Sequence, residues 1–339
     1  RRSSDLRPGF ESILFYNNIF KKNQSCDISV FTREIVITDL MFMIGPRINA
    51  AGRIDKGKTA VDLLLCENMA TTHQLSQIIN NNNEERRSLD THITEQALKM
   101  INQSESLKNA KATVLYNPKW SKGVIGIVAS RLMDSYYRPT IILTQNNGVI
   151  TGSARSIKDF DIYNAIDACS KHLDHFGGHK YAAGLSLSPE NLEAFIADFN
   201  ALAEKQVTES MMIPLLEIDA VLDLNTIDTR FYRILKQFGP FGPGNNNPVF
   251  LSRNCILKSQ PRIVGNKHLK LQIGQSQTPG QDYPAIAFNQ SQHIKWMQSG
   301  QPFDVVYQLE ENEWNGNFSI QMNVKDLRPA NSNEEIQYI

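Results

Sequence analysis

The chain has 339 residues, of which 41% are hydrophobic and 21% are charged, a composition typical of a folded globular protein. Thirty-five basic residues balance thirty-five acidic ones, and the zero net charge argues against a uniformly basic nucleic-acid-binding protein. The sequence contains no apolar run of about eighteen residues and no secretory signal, which excludes a predicted membrane span and predicts no secretion.

The four cysteines, Cys26, Cys66, Cys169 and Cys255, are far apart in the sequence and form no Cys-x-x-Cys pair. This pattern predicts buried thiols in a reducing cytoplasm and argues against a metal site built on cysteine. Because the sequence opens on Arg1 rather than on Met, we expect it to be a piece of a longer chain.

Residues 1–108 predict a mostly helical region. Apolar residues recur at helical spacing over GFESILFYNNIF (9–20), and residues 59–102 predict one long helix or two in line. The asparagine run at 80–83 is the expected weak point of that helix. A long amphipathic helix of this kind often bridges domains.

Residues 109–208 predict an α/β domain, because short apolar runs alternate with helical patterns. The expected strands are KATVLY, TIILT, VITGSARSI and GLSLS, at 111–116, 140–144, 149–157 and 184–188. A turn is expected at Asn147-Gly148. One helix should begin after a cap at Asp159 or Asp161, and another after a Ser188 cap.

Residues 213–329 predict an all-β domain of the OB-fold-like barrel type, since short alternating runs separated by turn residues recur there. The segment FGPFGPGNNNPVF (238–250) is expected to form a fixed, irregular loop.

The stretch from Thr229 to Gln281 contains no Asp or Glu. Its basic residues are Arg230, Arg233, Lys236, Arg253, Lys258, Arg262, Lys267 and Lys270. A local polyanion site can be concealed by a neutral average, but a solvated basic face gives the same pattern. Charge alone does not decide between these two interpretations.

Residues 52–59 match the phosphate-loop pattern G-x-x-x-x-G-K-T of nucleotide triphosphatases. A loop of this kind follows directly on a buried strand, and we reject the match because no such strand is predicted before residue 52. The preceding GPRINAAG starts in a turn-like manner and has no β-branched run.

Two arginine-containing stretches are candidates for anion binding. GPRINAAGR (45–53) places Arg47 and Arg53 around a small-residue turn, and arginine forks bind phosphate oxygens in pairs. In TGSARS (151–156), alternation along a strand puts Ser153 and Arg155 on one face. Surface arginines and an exposed strand end explain the same residues without a ligand, and for Arg47 we prefer that interpretation.

The third candidate is DHFGGHKYAAGLSL (174–187). Gly177 and Gly178 can adopt positive φ and let a ligand approach the backbone. If a helical turn begins at His179, the following N–H groups can bind an anion, with His179 as a donor or proton shuttle. A tight turn with a hydrogen-bonded histidine is the structural alternative. The attached Ala-Ala-Gly run (182–184) favours the functional interpretation.

Five segments occur in this order: GPRINAAGR, GVIGIVASRL with YYRPTI, GSARS, FGGHKYAAGLSL and FGPFGPGNNNPVF. Together they resemble the RecJ family of single-strand-specific exonucleases, in the DHH phosphoesterase superfamily. The resemblance covers nearly the whole chain. It implies a helical connecting region (1–108), a DHH-associated domain (109–208) and an OB-fold (213–329). The Asp-His-His motif of the family has no match, and Ser121 follows Trp120 where relatives commonly carry His.

This resemblance also implies roles for individual residues. Arg53, Ser153 and Arg155 would hold the DNA backbone at its 5′ end. Residues 177–179 would line the cleft facing a metal centre that this chain does not carry, so no catalytic set is complete here.

The OB-fold would guide single strand along a basic face formed by five residues of the acid-free stretch. These are Arg253, Lys258, Arg262, Lys267 and Lys270. OB-folds combine such a groove with stacking aromatics. Phe250, Tyr283 and Phe288 are candidate platforms, although we expect each to be a core residue.

For the parent enzyme, the resemblance implies a 5′-to-3′ exonuclease of DNA repair and recombination that uses Mg²⁺ or Mn²⁺. This chain would be its DNA-guiding portion, binding no metal and hydrolysing nothing alone. The implied partners are single-stranded DNA, a single-strand-binding protein and repair helicases. Two alternatives stay open: a DHH-superfamily phosphodiesterase for short oligonucleotides or cyclic dinucleotides, and a non-enzymatic single-strand-binding module.

Overall fold

Helices followed by a five-stranded sheet form the first unit of the chain, Arg1–Pro214, and a seven-stranded sheet dominates the second, Leu215–Ile339. A computed structural model describes residues 6–22, 29–32, 35, 37–242, 244–275, 281–314 and 317–330. Helical, α/β and β-rich parts follow one another along the chain, as the sequence predicts.

The helical part of the first unit contains six α-helices and a two-stranded antiparallel sheet within the described residues. These elements are α1 Pro8–Tyr16, β1 Phe20–Lys22, β2 Ser29–Phe31, α2 Ile37–Asp39, α3 Gly45–Ile54, α4 Lys58–Leu65, α5 Met69–Gln103 and α6 Glu105–Asn109. A π-helical segment, Leu40–Ile44, joins α2 to α3.

The small-residue turn predicted at 45–53 is wrong, because this segment is α3. Ala50 and Ala51 are fully buried, so the small residues serve close helix packing rather than a turn. Pro46 lies in the first turn of α3, directly after the π-helical segment. A helix rather than a strand thus precedes the G-x-x-x-x-G-K-T pattern, which supports its rejection.

The expected weak point at the asparagine run is also wrong, since α5 continues unbroken through residues 80–83. The chain breaks earlier, between α4 and α5. There Asn68 accepts a hydrogen bond from Thr71 N at 3.1 Å and caps α5. Within the run, Asn83 is buried, and Asn80 Oδ1 accepts a 2.6 Å hydrogen bond from Arg47 Nε, so α3 supplies a tertiary partner for Asn80. Arg47 is therefore a structural residue.

The α/β part is a five-stranded sheet with helices on both faces. Its elements are β3 Thr113–Tyr116, α7 Ile125–Tyr136, β4 Thr140–Asn146, β5 Val149–Arg155, α8 Ile162–Asp167, β6 His175–His179, β7 Ala182–Leu187 and α9 Leu192–Gln206. The strand order is β3-β4-β5-β7-β6, with β3 and β4 parallel and the other pairs antiparallel.

Local signals predict the turns and caps of this sheet with one error. Asn147 and Gly148 have φ of 50° and 83°, as a two-residue hairpin turn requires. Asp161 caps α8 by accepting from Asn164 N at 3.0 Å. The predicted Ser188 cap is wrong, because its side chain makes no capping bond and its hydroxyl donates to Asp174 instead.

The two faces of the sheet pack against different helices. On one face Ile141 and Leu143 belong to a buried cluster with Phe195 and Phe199 of α9. On the other, residues such as Ile142 pack against α7 and the C-terminal half of α5. Because α7 packs on β4 and β5, the N-terminal end of α7 lies beside Ser153 and Arg155 of β5.

Arg138 fixes the junction between the helices and the sheet. It is 1% exposed, and its guanidinium donates to Thr113 Oγ1 at 2.7 Å and to the carbonyls of Leu107, Lys108 and Ala110. A buried arginine with all these acceptors satisfies carbonyl groups at the end of α6 and ties them to β3.

The second unit contains a ring of strand pairings. Its elements are β8 Ala220–Val221, α10 Thr229–Gln237, β9 Phe250–Leu257, β10 Arg262–Val264, β11 His268–Gln275, β12 Asp282–Ala287, α11 Ile294–Met297, β13 Phe303–Trp314 and β14 Asn317–Pro329. The sheet order is β10-β11-β12-β14-β13-β9-β8, and β11 also pairs with β9, so five strands return to their start. Such a five-stranded ring is typical of an OB-fold.

The purely β composition expected for 213–329 is incomplete, because α10 and α11 lie in it. Asp228 caps α10 by accepting from Phe231 N at 2.6 Å, and Leu235, four residues after Phe231, is buried. Its apolar residues Phe231, Ile234 and Leu235 recur at helical spacing, so the sequence did contain the signal for this helix. Within the described part of the chain, no helix combines the length and apolarity needed to cross a bilayer.

Candidate anion-binding site

The first turn of α7 lies beside Ser153 and Arg155 of β5. A Cβ atom added at Gly126 would lie 3.0 Å from Ser153 Oγ and 3.1 Å from Arg155 Nη2. Glycine therefore leaves the space that these two side chains approach. The first N–H groups of a helix have no acceptor within it and carry the positive end of the helix dipole. Backbone and side-chain donors thus meet at one place, which suits an anion.

Arg155 is held in place by its own hydrogen bonds. Its Nε donates to Ser130 Oγ at 3.1 Å, and its Nη1 donates to Ser153 Oγ at 3.0 Å and to the Ala154 carbonyl at 2.7 Å. Burial lowers the pKa of Arg155, and the positive charge of Arg53 lowers it further. The three hydrogen bonds orient the guanidinium in advance, with Nη2 beside the first turn of α7.

Arg53 reaches the same place from the last turn of α3. Its Nη1 donates to the Gly123 carbonyl, just before α7, at 3.0 Å. A Cβ at Gly123 would lie 2.2 Å from the Arg53 carbonyl oxygen, so the two backbones are in contact and only glycine fits. Arg53 and the distant strand residues Ser153 and Arg155 converge at the start of α7, and we name this the anion pocket.

The Gly-Gly-His segment is an edge strand, so the predicted turn followed by a helical turn at His179 is wrong. Gly178 has φ of 155°, and a Cβ there would lie 2.3 Å from the Ala182 carbonyl oxygen. Its glycine is needed for close contact between β6 and β7. Tyr181 N donates to His179 Nδ1 at 3.3 Å in the hairpin that follows. A Cβ at Gly177 would have no neighbour within 4 Å, so that side of the strand is open.

Strand register places the open strand and the anion pocket on one face. Two rows cross β5, β7 and β6 here, one of Ser153, Gly184 and Gly177 and the next of Arg155, Ala182 and His179. Residues paired across strands share a face, and adjacent strands are about 4.8 Å apart, so His179 lies about 10 Å from Arg155 along its row. Small residues between them leave a shallow open shelf. His179 therefore shares the face without touching the pocket.

Sequence reasoning missed several residues of this region. These are Gly123, Gly126 and Ser130 around α7, and Arg86, Asp90 and Arg131 beside it. The spacing of Gly126 and Ser130, four apart on one helix face, was a signal for close approach of another element. The arginines give no such signal, because their convergence depends on how α5 packs against α7.

In the second unit, register gathers basic residues on the outer face of β10 and β11. Arg262 pairs with Lys270, and Lys270 pairs with Ile286. Lys258 crosses Gly274 on the same face of β11, since a Cβ there would lie 2.3 Å from Lys258 Cε. Of the remaining two predicted residues, Lys267 lies in the exposed turn before β11 and Arg253 is half-buried on β9.

The aromatic residues of this unit divide into core and surface. Phe250 and Tyr283 are buried, as expected. The core assignment is wrong for Phe288, which is 50% exposed and makes an edge contact with His268 at 5.2 Å between ring centroids. Phe288 follows β12 directly and lies next to the basic outer face.

The part of the chain that the structure describes does not form a metal site. Among the residues that the structure describes, no group of three or more His, Cys, Asp or Glu side chains is arranged to hold one. No reaction step is therefore assigned to a metal held by these residues.

Comparison with known proteins gives a consistent result for both sheets. Residues 109–205 match the DHHA1 domain family, and residues 218–326 match the RecJ OB domain family. The single-stranded-DNA-specific exonuclease RecJ of Bacillus subtilis is 33% identical over 288 residues, covering 84% of this chain and 36% of that protein. The same-named protein of Dickeya dadantii is 30% identical over 335 residues, covering 97% and 56%. This chain belongs to the RecJ family.

Solved structures of RecJ agree with this assignment. Thermus thermophilus RecJ in complex with Mg²⁺ is 28% identical, with a TM-score of 0.72 over 86% of this chain and 44% of that one. Its complex with Mn²⁺ gives a TM-score of 0.73 over 89% and 42%. The chain thus spans between about a third and somewhat over half of the length of these RecJ proteins.

Proposed function

We propose that this chain is the DNA-guiding portion of a 5′-to-3′ exonuclease specific for single-stranded DNA, acting in DNA repair and recombination. The observation that carries the proposal is the convergence of Arg53, Ser153, Arg155 and the first turn of α7. A terminal 5′ phosphate suits this pocket because it offers several oxygen acceptors and more negative charge than an internal phosphodiester.

The shelf formed by β5, β7 and β6 would carry the strand away from the pocket. Its small residues allow a sugar-phosphate backbone to approach the sheet. Because His179 Nδ1 accepts a hydrogen bond from Tyr181 N, the proton of the neutral ring is assigned to Nε2. His179 would then act as a donor to a backbone phosphate on the same face as Arg155.

The outer face of the second unit would bind single-stranded DNA. Arg262, Lys270 and Lys258 supply positive charge there, and Phe288 supplies an exposed ring on which a base can stack. The RecJ OB match favours this reading over a phosphodiesterase for short oligonucleotides or cyclic dinucleotides.

Phosphodiester hydrolysis belongs to the parent enzyme in this proposal. Divalent ions, Mg²⁺ or Mn²⁺, would be held outside the residues described here, and we expect this chain to hydrolyse nothing alone. A single-strand-binding protein and repair helicases are proposed as further partners of that enzyme.

The proposal is tested by titrating the chain against single-stranded DNA at several salt concentrations. The affinity should fall with salt, with a log–log slope of about −0.7 for each phosphate contacted. The affinity should also be higher for a 5′-phosphorylated strand than for a 5′-hydroxyl strand of the same sequence. A response that is flat in salt and indifferent to the 5′ group would contradict it.

A further inference from the structure

A buried carboxylate and two arginines lie next to the anion pocket, between α5 and α7. Asp90 of α5 is fully buried, and its Oδ2 accepts a 2.7 Å hydrogen bond from Arg131 Nη2 of α7. The Arg131 side chain is 46% exposed. The carboxylate thus anchors one edge of a guanidinium whose remainder reaches solvent.

Arg86 joins this pair from one turn earlier on α5. Its Nη2 donates to Asn83 Oδ1 at 3.1 Å. Its Nε is buried without a hydrogen-bond partner among the described residues, and so is Asp90 Oδ1. Buried polar atoms in this state are uncommon. Of the two, Arg86 Nε is a donor and could serve an anion, whereas Asp90 Oδ1 is an acceptor and could not.

Electrostatics connects this cluster to the anion pocket. Burial lowers the pKa of Arg86; Asp90 opposes that shift, and the charges of Arg87, Arg53 and Arg131 lower the pKa further. Burial also raises the pKa of Asp90, against the influence of Arg131 and Arg86. The charge of Arg86 is therefore felt together with that of Arg131 and with that of Arg53 of the pocket.

The two places lie at the same level of α7. Ser130, which accepts from Arg155 Nε, directly precedes Arg131 on α7. Arg86 and Arg131 share the single carboxylate of Asp90, and Arg53 interacts electrostatically with both Arg86 and Arg155. Gathering like charges in a partly buried place is unfavourable unless an anion compensates them. The positive charge of these arginines, less the negative charge of Asp90, exceeds what one terminal phosphate can neutralise.

We propose that Arg86 and Arg131 form a second phosphate-binding position, which takes the backbone phosphate adjacent to the terminal one, and that Asp90 is the positioning residue that orients Arg131. The inference rests on the proposed function, because a second position adjoins the first only if the anion pocket holds the 5′ end.

The test compares ligands with one and two phosphates on the whole 339-residue chain. Thymidine 5′-monophosphate presents only a terminal phosphate, and the 5′-phosphorylated thymidine dinucleotide adds one internal phosphate. Arg131→Ala removes one charge-assisted contact, so it should weaken binding of the dinucleotide about tenfold and change binding of the mononucleotide by less than about twofold. Both affinities are measured by calorimetry. The exposed Lys99, on the same helix as Asp90 but more than two turns away, gives the matched control Lys99→Ala, which should change neither.

Two substitutions at Asp90 separate positioning from charge. Asp90→Asn keeps an oxygen that can accept from Arg131, whereas Asp90→Leu removes it, and both raise the net charge equally. If Asp90 orients Arg131, the leucine variant binds the dinucleotide more weakly than the asparagine variant. Equal binding by the two folded variants overturns the positioning role. Thermal unfolding establishes that both are folded, and Asp90→Ala, which also removes the acceptor, replaces the leucine variant should that one not fold.

The outcomes distinguish this inference from the proposed function. If Arg155→Ala leaves mononucleotide binding unchanged, the anion pocket is misassigned and the proposed function fails with it. If Arg155→Ala weakens both ligands while Arg131→Ala affects both equally or neither, the pocket stands and the second position is refuted.

Discussion

Replacing Arg155 with alanine should remove the preference for a 5′-phosphorylated strand. Three hydrogen bonds to Ser130, Ser153 and the Ala154 carbonyl occupy Nε and Nη1, and Nη2 is left facing the first turn of α7. A phosphate at that place would accept from Nη2. A hydrogen bond to a charged group contributes about 1.5–3 kcal/mol, and about 1.4 kcal/mol corresponds to a tenfold change in affinity. The expected loss is therefore about 10- to 100-fold for the phosphorylated strand.

The assay is fluorescence anisotropy with two strands of one sequence, labelled at the 3′ end and carrying either a phosphate or a hydroxyl at the 5′ end. Arg155→Ala should reduce affinity for the first strand much more than for the second. Arg155→Lys keeps the charge but loses the fork that contacts Ser130 and Ser153 together, so it should fall between wild type and alanine. If both strands lose affinity equally, Arg155 contributes only general charge and the pocket is misassigned.

Three further predictions concern the two sheets. Gly178→Ala should lower the free energy of unfolding by about 1–3 kcal/mol, because φ is positive there and the added Cβ would overlap the β7 backbone. The control Gly177→Ala should leave the melting temperature unchanged. Equal melting temperatures of the two variants would contradict the β6 geometry. Burial raises the pKa of Cys255 to about 12, so the thiol should resist alkylation at pH 8 until the protein unfolds. The free energy of unfolding should also decline as the pH rises above about 9 toward 12, because the thiol of the unfolded chain ionises first. Rapid alkylation of the native protein would refute this. Phe288→Ala should weaken single-strand binding by about 1–3 kcal/mol without lowering the melting temperature. Phe318→Ala, which removes a 65% exposed ring, serves as the control. Equal losses of binding in the two variants would argue against stacking at Phe288.

The sequence predicted those features that depend on neighbouring residues. Alternating strands and helices, the Asn147-Gly148 turn and the Asp161 cap each follow from local backbone or side-chain chemistry. They fix the order of elements, and with it the α/β and OB-like classes.

The errors arise where one residue type serves more than one backbone. Glycine at 177 and 178 is compatible with a turn and with a closely packed edge strand, and only contact with Ala182 decides for the strand. The small residues of 45–53 likewise suit a turn or a tightly packed helix, and burial of Ala50 and Ala51 decides for the helix.

The candidate site was predictable in part. Arg53, Ser153 and Arg155 were identifiable as phosphate-binding types, and the structure brings them together, but the role of α7 and its glycines depends on tertiary contact. His179 was expected beside them and instead lies two strands away on the same face. Arg86 and Arg131 lie on separate helices, so nothing in their sequence neighbourhoods indicates a shared position.

The most direct measurement is a crystal structure of this chain with a short 5′-phosphorylated thymidine strand. The account predicts the terminal phosphate at the first turn of α7, within hydrogen-bonding distance of Ser153 Oγ and Arg155 Nη2. A strand bound elsewhere, with its 5′ phosphate in solvent and no anion at α7, would contradict it.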